Sequence, residues 1–85
     1  MNSKNDKKVL IRYFALLREE SGKNEESILT SSEALADLFE ELKNRYHFRL
    51  PISALRVAVN DNFVSWQTKI NDGDSIVFIP PVAGG

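Results

Sequence analysis

Apolar and polar residues alternate along several short stretches of this chain, and one longer stretch carries the three-to-four-residue spacing of a helix. Residues 9–14 (Val-Leu-Ile-Arg-Tyr-Phe) are rich in β-branched and aromatic side chains and predict a first strand. Side chains of a strand alternate between faces, so Val9, Ile11 and Tyr13 share one side, and Leu10, Arg12 and Phe14 the other. Arg12 marks the second face as the wetter one, an unusual place for a phenylalanine. Residues 15–20 leave the strand with helical propensity and predict a short turn, closed by Ser21 and Gly22. Residues 25–29 predict a second strand that folds back on the first as a hairpin.

Thr30-Ser31-Ser32-Glu33 has the spacing of a capping box, in which the Thr30 hydroxyl accepts from the Glu33 amide, so a helix is expected from there. Leu35, Leu38, Phe39, Leu42 and Tyr46 then fall on one helical face. Asp37, Glu40, Glu41, Lys43 and Asn44 fill the other, and a solvated helix face explains these carboxylates better than a catalytic pair. His47 follows at the helix end, where a cation suits the dipole. Residues 48–53, with Pro51, read as a connector. Residues 55–60 (Leu-Arg-Val-Ala-Val-Asn) predict a third strand, Asp61-Asn62 a turn, and 63–66 a short return strand. Asn71-Asp72-Gly73-Asp74 predicts a turn with Gly73 free to take a positive φ, and 75–79 a final strand.

Five strands and one main helix predict an α+β roll of the β-grasp, ubiquitin-like kind, with a mixed sheet holding the helix on one face. The expected organisation is a disordered polar leader (1–7), a domain (8–79) and a flexible tail (80–85). With the first and last strands as central neighbours, Ile76 and Phe78 face the helix. Leu10, Phe14, Val77 and Ile79 then form an outward apolar patch beside the tail, which Phe63 extends. Such a patch on a small domain marks a partner site.

Composition narrows the chemistry. The 85 residues include no cysteine and one histidine, which removes thiolate metal sites and cysteine nucleophiles and leaves little for a histidine-based centre. A net charge of −1 provides no footprint for nucleic acid. No stretch is long and apolar enough for a membrane span or a secretory signal, so a cytoplasmic location is expected. What remains is the end of the sequence, Pro80-Pro81-Val82-Ala83-Gly84-Gly85. Prolines stop ladder pairing and stiffen the exit, and glycines make a thin tip that can enter a narrow slot. A frayed terminus is the bland alternative.

Three stretches give the chain a family resemblance. Tyr13-Phe14-Ala15-Leu16-Leu17-Arg18-Glu19, Val57-Ala58-Val59-Asn60 with Phe63-Val64, and Asp72-Gly73-Asp74 through Gly85 resemble the motifs of molybdopterin synthase small subunits, which are ubiquitin-like sulfur carriers. The match spans about residues 9 to 85. The polar leader and the connector at 48–53 depart from the pattern.

The resemblance implies that an ATP-dependent, E1-like activating enzyme adenylates the Gly85 carboxylate, which then becomes a thiocarboxylate. It further implies that the tail enters the large subunit of a heterotetrameric synthase and gives sulfur to cyclic pyranopterin monophosphate. No cofactor is bound to the carrier itself, and the catalytic side chains belong to the large subunit. Carried over by position, Phe14, Phe63 and Ile79 contact that subunit, with Pro80, Pro81, Val82 and Ala83 leading to Gly84 and Gly85. The sulfur carrier of thiamine biosynthesis shares the fold and the Gly-Gly end. A ubiquitin-like modifier or binding module is the rival from another class.

Overall fold

The computed structural model describes residues 6–81. Strand β1 (Lys7–Tyr13) leads into a short helix α1 (Ala15–Ser21), and β2 (Glu25–Thr30) follows. The main helix α2 (Leu35–Tyr46) comes next, then a 3-10 turn (Ile52–Ala54) and strands β3 (Arg56–Val59), β4 (Asn62–Val64) and β5 (Ser75–Ile79). The sheet order is β2-β1-β5-β3-β4. Only β1 and β5 run parallel, with Arg12 opposite Val77 and Tyr13 opposite Phe78; the other pairs are antiparallel. The first and last strands are thus central neighbours, and the molecule is a β-grasp roll.

Period-two burial in the central strands creates the inner face. Val9, Ile11 and Tyr13 of β1 are buried, as are Ile76 and Phe78 of β5. Leu35, Leu38, Phe39 and Leu42 of α2 close over them with no exposed surface. Phe39 is the hub, with its ring centroid 5.3 Å from that of Phe78 and 5.8 Å from that of Phe48. Each fully buried side chain of this size contributes about 1.5–3 kcal/mol relative to exposure, which favours this register over any one-residue slip.

Several local expectations need correction. Residues 15–20 are part of a helix rather than a turn. Leu17 reaches the core with no exposed surface, and Gly22, at φ 75°, caps the helix by donating to the Arg18 carbonyl. Burial of one leucine and a left-handed glycine cap together hold two helical turns that would be marginal alone. The capping box does not form. Helix α2 starts at Leu35, and the carbonyls of Thr68 and Trp66 accept from the Leu35 and Ala36 amides. Thr30 ends β2 instead, and its hydroxyl donates to Glu41 and accepts from the Ser32 amide.

The connector is not inert, because Phe48 is buried within the aromatic cluster. The β3–β4 turn is Asn60-Asp61, one residue earlier than expected, with φ values of 50° and 74°. Paired left-handed residues match the strand twist of a two-residue hairpin, and asparagine and aspartate tolerate them best. Strand β4 stops at Val64, short of Trp66, and β1 begins at Lys7, earlier than expected. Among the described residues no helix is long and apolar enough to cross a membrane.

Candidate functional site: the uncovered sheet face at the root of the tail

Both helices contribute to the core on the inner face, and among the described residues no element covers the other face of the sheet. Its composition follows from the alternation that filled the core: every residue between two core residues of β1, β3 and β5 points outward. Cross-strand pairing sorts these residues into rows. One row runs Glu25, Arg12, Val77, Ala58, Phe63 across all five strands. The next row toward the end of β5 holds Ile79 opposite Arg56. Phe14 lies beside this row, since it follows Tyr13 as Ile79 follows Tyr13's partner Phe78. Leu10, opposite Ser75, starts the row on the other side.

Phe14 is 47% exposed and Phe63 63% exposed, while Leu10, Val77 and Ile79 are half-buried. Phe14 is held out by the chain reversal at Ala15, whose φ of 51° turns the backbone sharply into α1. The residues singled out from the sequence therefore share one face. Phe14 and Ile79 sit on adjacent strands, and Phe63 lies at the far edge, joined to them through Val77 and Ala58. Pro80 and Pro81 continue the chain from Ile79, past the end of β5. Val82, Ala83, Gly84 and Gly85 lie outside the described residues, as do residues 1–5 of the expected leader.

Two cations punctuate the patch, and no sequence motif marks their use. The Arg12 guanidinium pairs with Glu25 at 3.6 Å. Arg56 lies over the Phe63 ring, 5.1 Å from its centroid. A shallow groove of about 360 Å³ opens beside Arg56, between Leu55–Val57 and Phe63–Trp66. Ala58 is buried and pairs with both Val77 and Phe63.

The position of the exit is set by the turn before β5. Asp74, buried, accepts from the Asn60 side chain at 3.1 Å and from the Asn71 amide at 2.8 Å, while its own carbonyl accepts from the Leu10 amide. Asn60 accepts from the Ser75 amide, Asp72 from the Lys8 amide, and the Gly73 amide donates to the Lys8 carbonyl. Asp72-Gly73-Asp74 is therefore more than a turn, because it pins the start of β5 against both β1 and β3. The register that results decides where Pro80 leaves the sheet.

Titratable groups elsewhere have structural work. On the helix side, the Glu26 carboxylate accepts from the Tyr13 and Tyr46 hydroxyls, both at 2.6 Å, and from Lys23 at 3.2 Å. Burial pushes the Glu26 carboxyl up, but these hydrogen bonds and the Lys23 charge outweigh it and hold it below the usual value. Burial, then the bond to Glu26 and its negative charge, push the Tyr13 phenol upward, so it stays a donor. The hydrogen bonds to Tyr46 and Glu26 raise Lys23. Glu41 accepts from Thr30 and Ser32 and pairs with Arg45, while Asp37 and Glu40 are exposed on α2. His47 is an exposed helix cap at φ 60°. Among the described residues no cluster of histidine, aspartate and glutamate is placed to hold a metal ion.

Known proteins resemble this chain over nearly its whole length. Molybdopterin synthase sulfur carrier subunits of Escherichia coli and Mycobacterium tuberculosis are 31% and 32% identical to it, over 91% and 92% of this chain and 99% and 98% of theirs. A Pyrococcus furiosus structure assigned as molybdopterin converting factor subunit 1 superposes with a TM-score of 0.77 at 35% identity, over 89% of this chain and 99% of that one. The complex of subunits 1 and 2 of molybdopterin-converting factor from Helicobacter pylori contains a chain with a TM-score of 0.62 at 26% identity, over 92% and 99%. The ThiS family model matches residues 11–85, from the middle of β1 through the Gly-Gly pair, and this chain belongs to the ThiS family.

Proposed function

We propose that this chain is the small, sulfur-carrying subunit of a molybdopterin synthase. The observation that carries the reading is the bare apolar face at the root of the tail, formed by Phe14, Ile79, Val77 and Phe63, in a chain similar over nearly its full length to sulfur carrier subunits. In this reading the face docks on the large subunit, as the two-subunit nature of the related Helicobacter pylori complex supports. Pro80 and Pro81 aim the remaining residues into that subunit's active site.

The reactive group is the Gly85 carboxylate. An α-carboxyl group titrates at about 3.3–3.7 and is ionised at neutral pH, which makes it a poor acyl donor. An E1-like activating enzyme joins it to AMP from ATP, releasing pyrophosphate, and a sulfur nucleophile then displaces AMP to leave a thiocarboxylate. The thiocarboxylate is an anionic sulfur nucleophile that needs no cysteine, and it transfers sulfur to cyclic pyranopterin monophosphate. The carrier binds no cofactor and is not an enzyme alone. Ordering the tail costs about 1–2 kcal/mol per residue. The two prolines lower that cost at their own positions, and burial of the apolar face offsets the remainder.

Intact mass after incubation with ATP, the cognate activating enzyme and a sulfur donor tests this. The expected result is the gain of one oxygen-to-sulfur exchange, lost on deletion of Gly85. Conjugates to lysine side chains without a thiocarboxylate would replace the carrier reading with a modifier. Growth complementation of strains lacking molybdopterin or thiamine synthesis separates the two sulfur-carrier pathways.

A further inference from the structure

Arg56 is placed differently from the arginines whose charge is already answered. Arg12, Arg45 and Arg49 each lie within 4 Å of a carboxylate, on Glu25, Glu41 and Glu20 respectively. Among the described residues no carboxylate pairs with Arg56 and its side chain makes no hydrogen bond. Its neighbours are apolar, with Ile79 opposite it on β5 and the Phe63 ring 5.1 Å away. It is also exposed, at the end of the sheet from which the tail departs.

A surface that covers Ile79 and Phe63 must remove water from the guanidinium between them. An unpaired charge in that setting opposes association. The Phe63 ring attracts the cation but accepts no N–H hydrogen bond in the plane of the guanidinium. A carboxylate does both, since its two oxygens match two parallel N–H donors and its charge balances the cation. The groove beside Arg56, between Leu55–Val57 and Phe63–Trp66, leaves room for a side chain to approach.

We propose that the partner bound by this face presents a carboxylate, set among apolar groups, to the Arg56 guanidinium. Arg56 then selects the partner by charge, within a surface whose affinity comes mainly from apolar burial. The inference rests on the reading of this face as the docking surface for the synthase large subunit, and deepens it by naming the chemistry that the large subunit must offer.

The test measures the Kd between the full chain and the large subunit encoded by the same genome, by titration calorimetry at low and high salt. Arg56→Leu is expected to weaken binding about tenfold at low salt and to flatten the salt dependence. Arg56→Lys should fall between the two, and Arg56→Glu should weaken binding about a hundredfold by setting like charges against each other. The thermal midpoint of each variant, expected within a few degrees of the parent, separates binding from folding; should Arg56→Leu fail to fold, Arg56→Gln takes its place. If the wild-type chain binds and Arg56→Leu binds as tightly, the inference is overturned while the docking reading stands. If the wild-type chain does not bind, both fall together. A version ending at Pro81 should retain the difference between arginine and leucine at position 56. Loss of that difference would mean that the guanidinium serves the chain's own terminal carboxylate, and would also overturn the proposal.

Discussion

Replacing Glu26 with alanine should destabilise the domain far more than a charge on the surface of a small protein usually would. The Tyr13 hydroxyl belongs to a residue with 1% exposure and donates to Glu26 at 2.6 Å. Without the carboxylate it loses the acceptor that the fold gives it. A buried hydroxyl left unpaired costs about 1–3 kcal/mol, and the charge-assisted bond that it loses was stronger than a neutral one. Tyr46 is half-buried and can turn to water, so its share is smaller. The expected loss is about 2–4 kcal/mol, which for a domain of this size lowers Tm by roughly 10–25 °C.

Urea and thermal denaturation of the wild type, Glu26→Ala, Tyr13→Phe and the double variant measure it. Tyr13→Phe should be costly in the wild type, yet neutral or stabilising when Glu26 is already absent, because it then removes an orphaned donor. The pH dependence has a definite sign. Glu26 titrates below its ordinary value in the folded state, so its contribution is complete at neutral pH. That contribution fades as pH falls below about 4.3, the unfolded value, and through the lower folded value. The gap between wild type and Glu26→Ala should therefore narrow in acid. A loss under about 0.5 kcal/mol, or a gap that stays constant from neutral pH into acid, would refute the role given to this carboxylate.

Two further outcomes follow from the same packing and backbone geometry. With 47% exposure, Phe14 has roughly 100 Å² left to bury in a complex, about 2.5 kcal/mol at about 25 cal/mol/Å². Phe14→Asp should accordingly weaken large-subunit binding by at least this much while costing the free domain only about 1–2 kcal/mol; equal losses in a calorimetric and a denaturation assay would make Phe14 a core residue. Gly73 sits at φ 89°, and a methyl group placed on its Cα would have nothing within 4 Å, so Gly73→Ala meets backbone strain without steric clash. It should cost about 1–2 kcal/mol by chemical denaturation, and an unchanged midpoint would show that the turn relaxes.

Much of the fold was legible because burial leaves a periodic trace. The alternation at Val9, Ile11 and Tyr13, the helical spacing from Leu35 to Tyr46, and the strand from Ser75 to Ile79 all follow from one face being apolar. Elements that depend on partners distant in sequence were harder to read. Helix α1 has only Leu17 as a core anchor, too little to register as a period. Thr30 and Glu33 have capping-box spacing, but the amides of α2 are met by carbonyls about thirty positions away, at Trp66 and Thr68. Glu26 reads as one acid among many, until the fold brings Tyr13, Lys23 and Tyr46 around it. For Arg56, alternation already placed the side chain outward, but only pairing shows that Ile79 and Phe63 are its neighbours.

By itself, then, the sequence determined which side chains of its periodic stretches enter the core and which point away from it, and it narrowed the side-chain chemistry, since cysteine is absent and histidine appears once. These are local properties, set by side-chain type and by the period of the backbone. The tertiary structure decided which outward residues meet. Parallel pairing of β1 with β5 and antiparallel pairing of β5 with β3 place Phe14, Ile79 and Arg56 side by side, although they come from three separate stretches of chain. That register is held by the Asp72–Asp74 turn and by burial of Ile76 and Phe78. A one-residue slip would expose both and turn the outward rows inward, which is why this surface is a property of the pairing and not of any one segment.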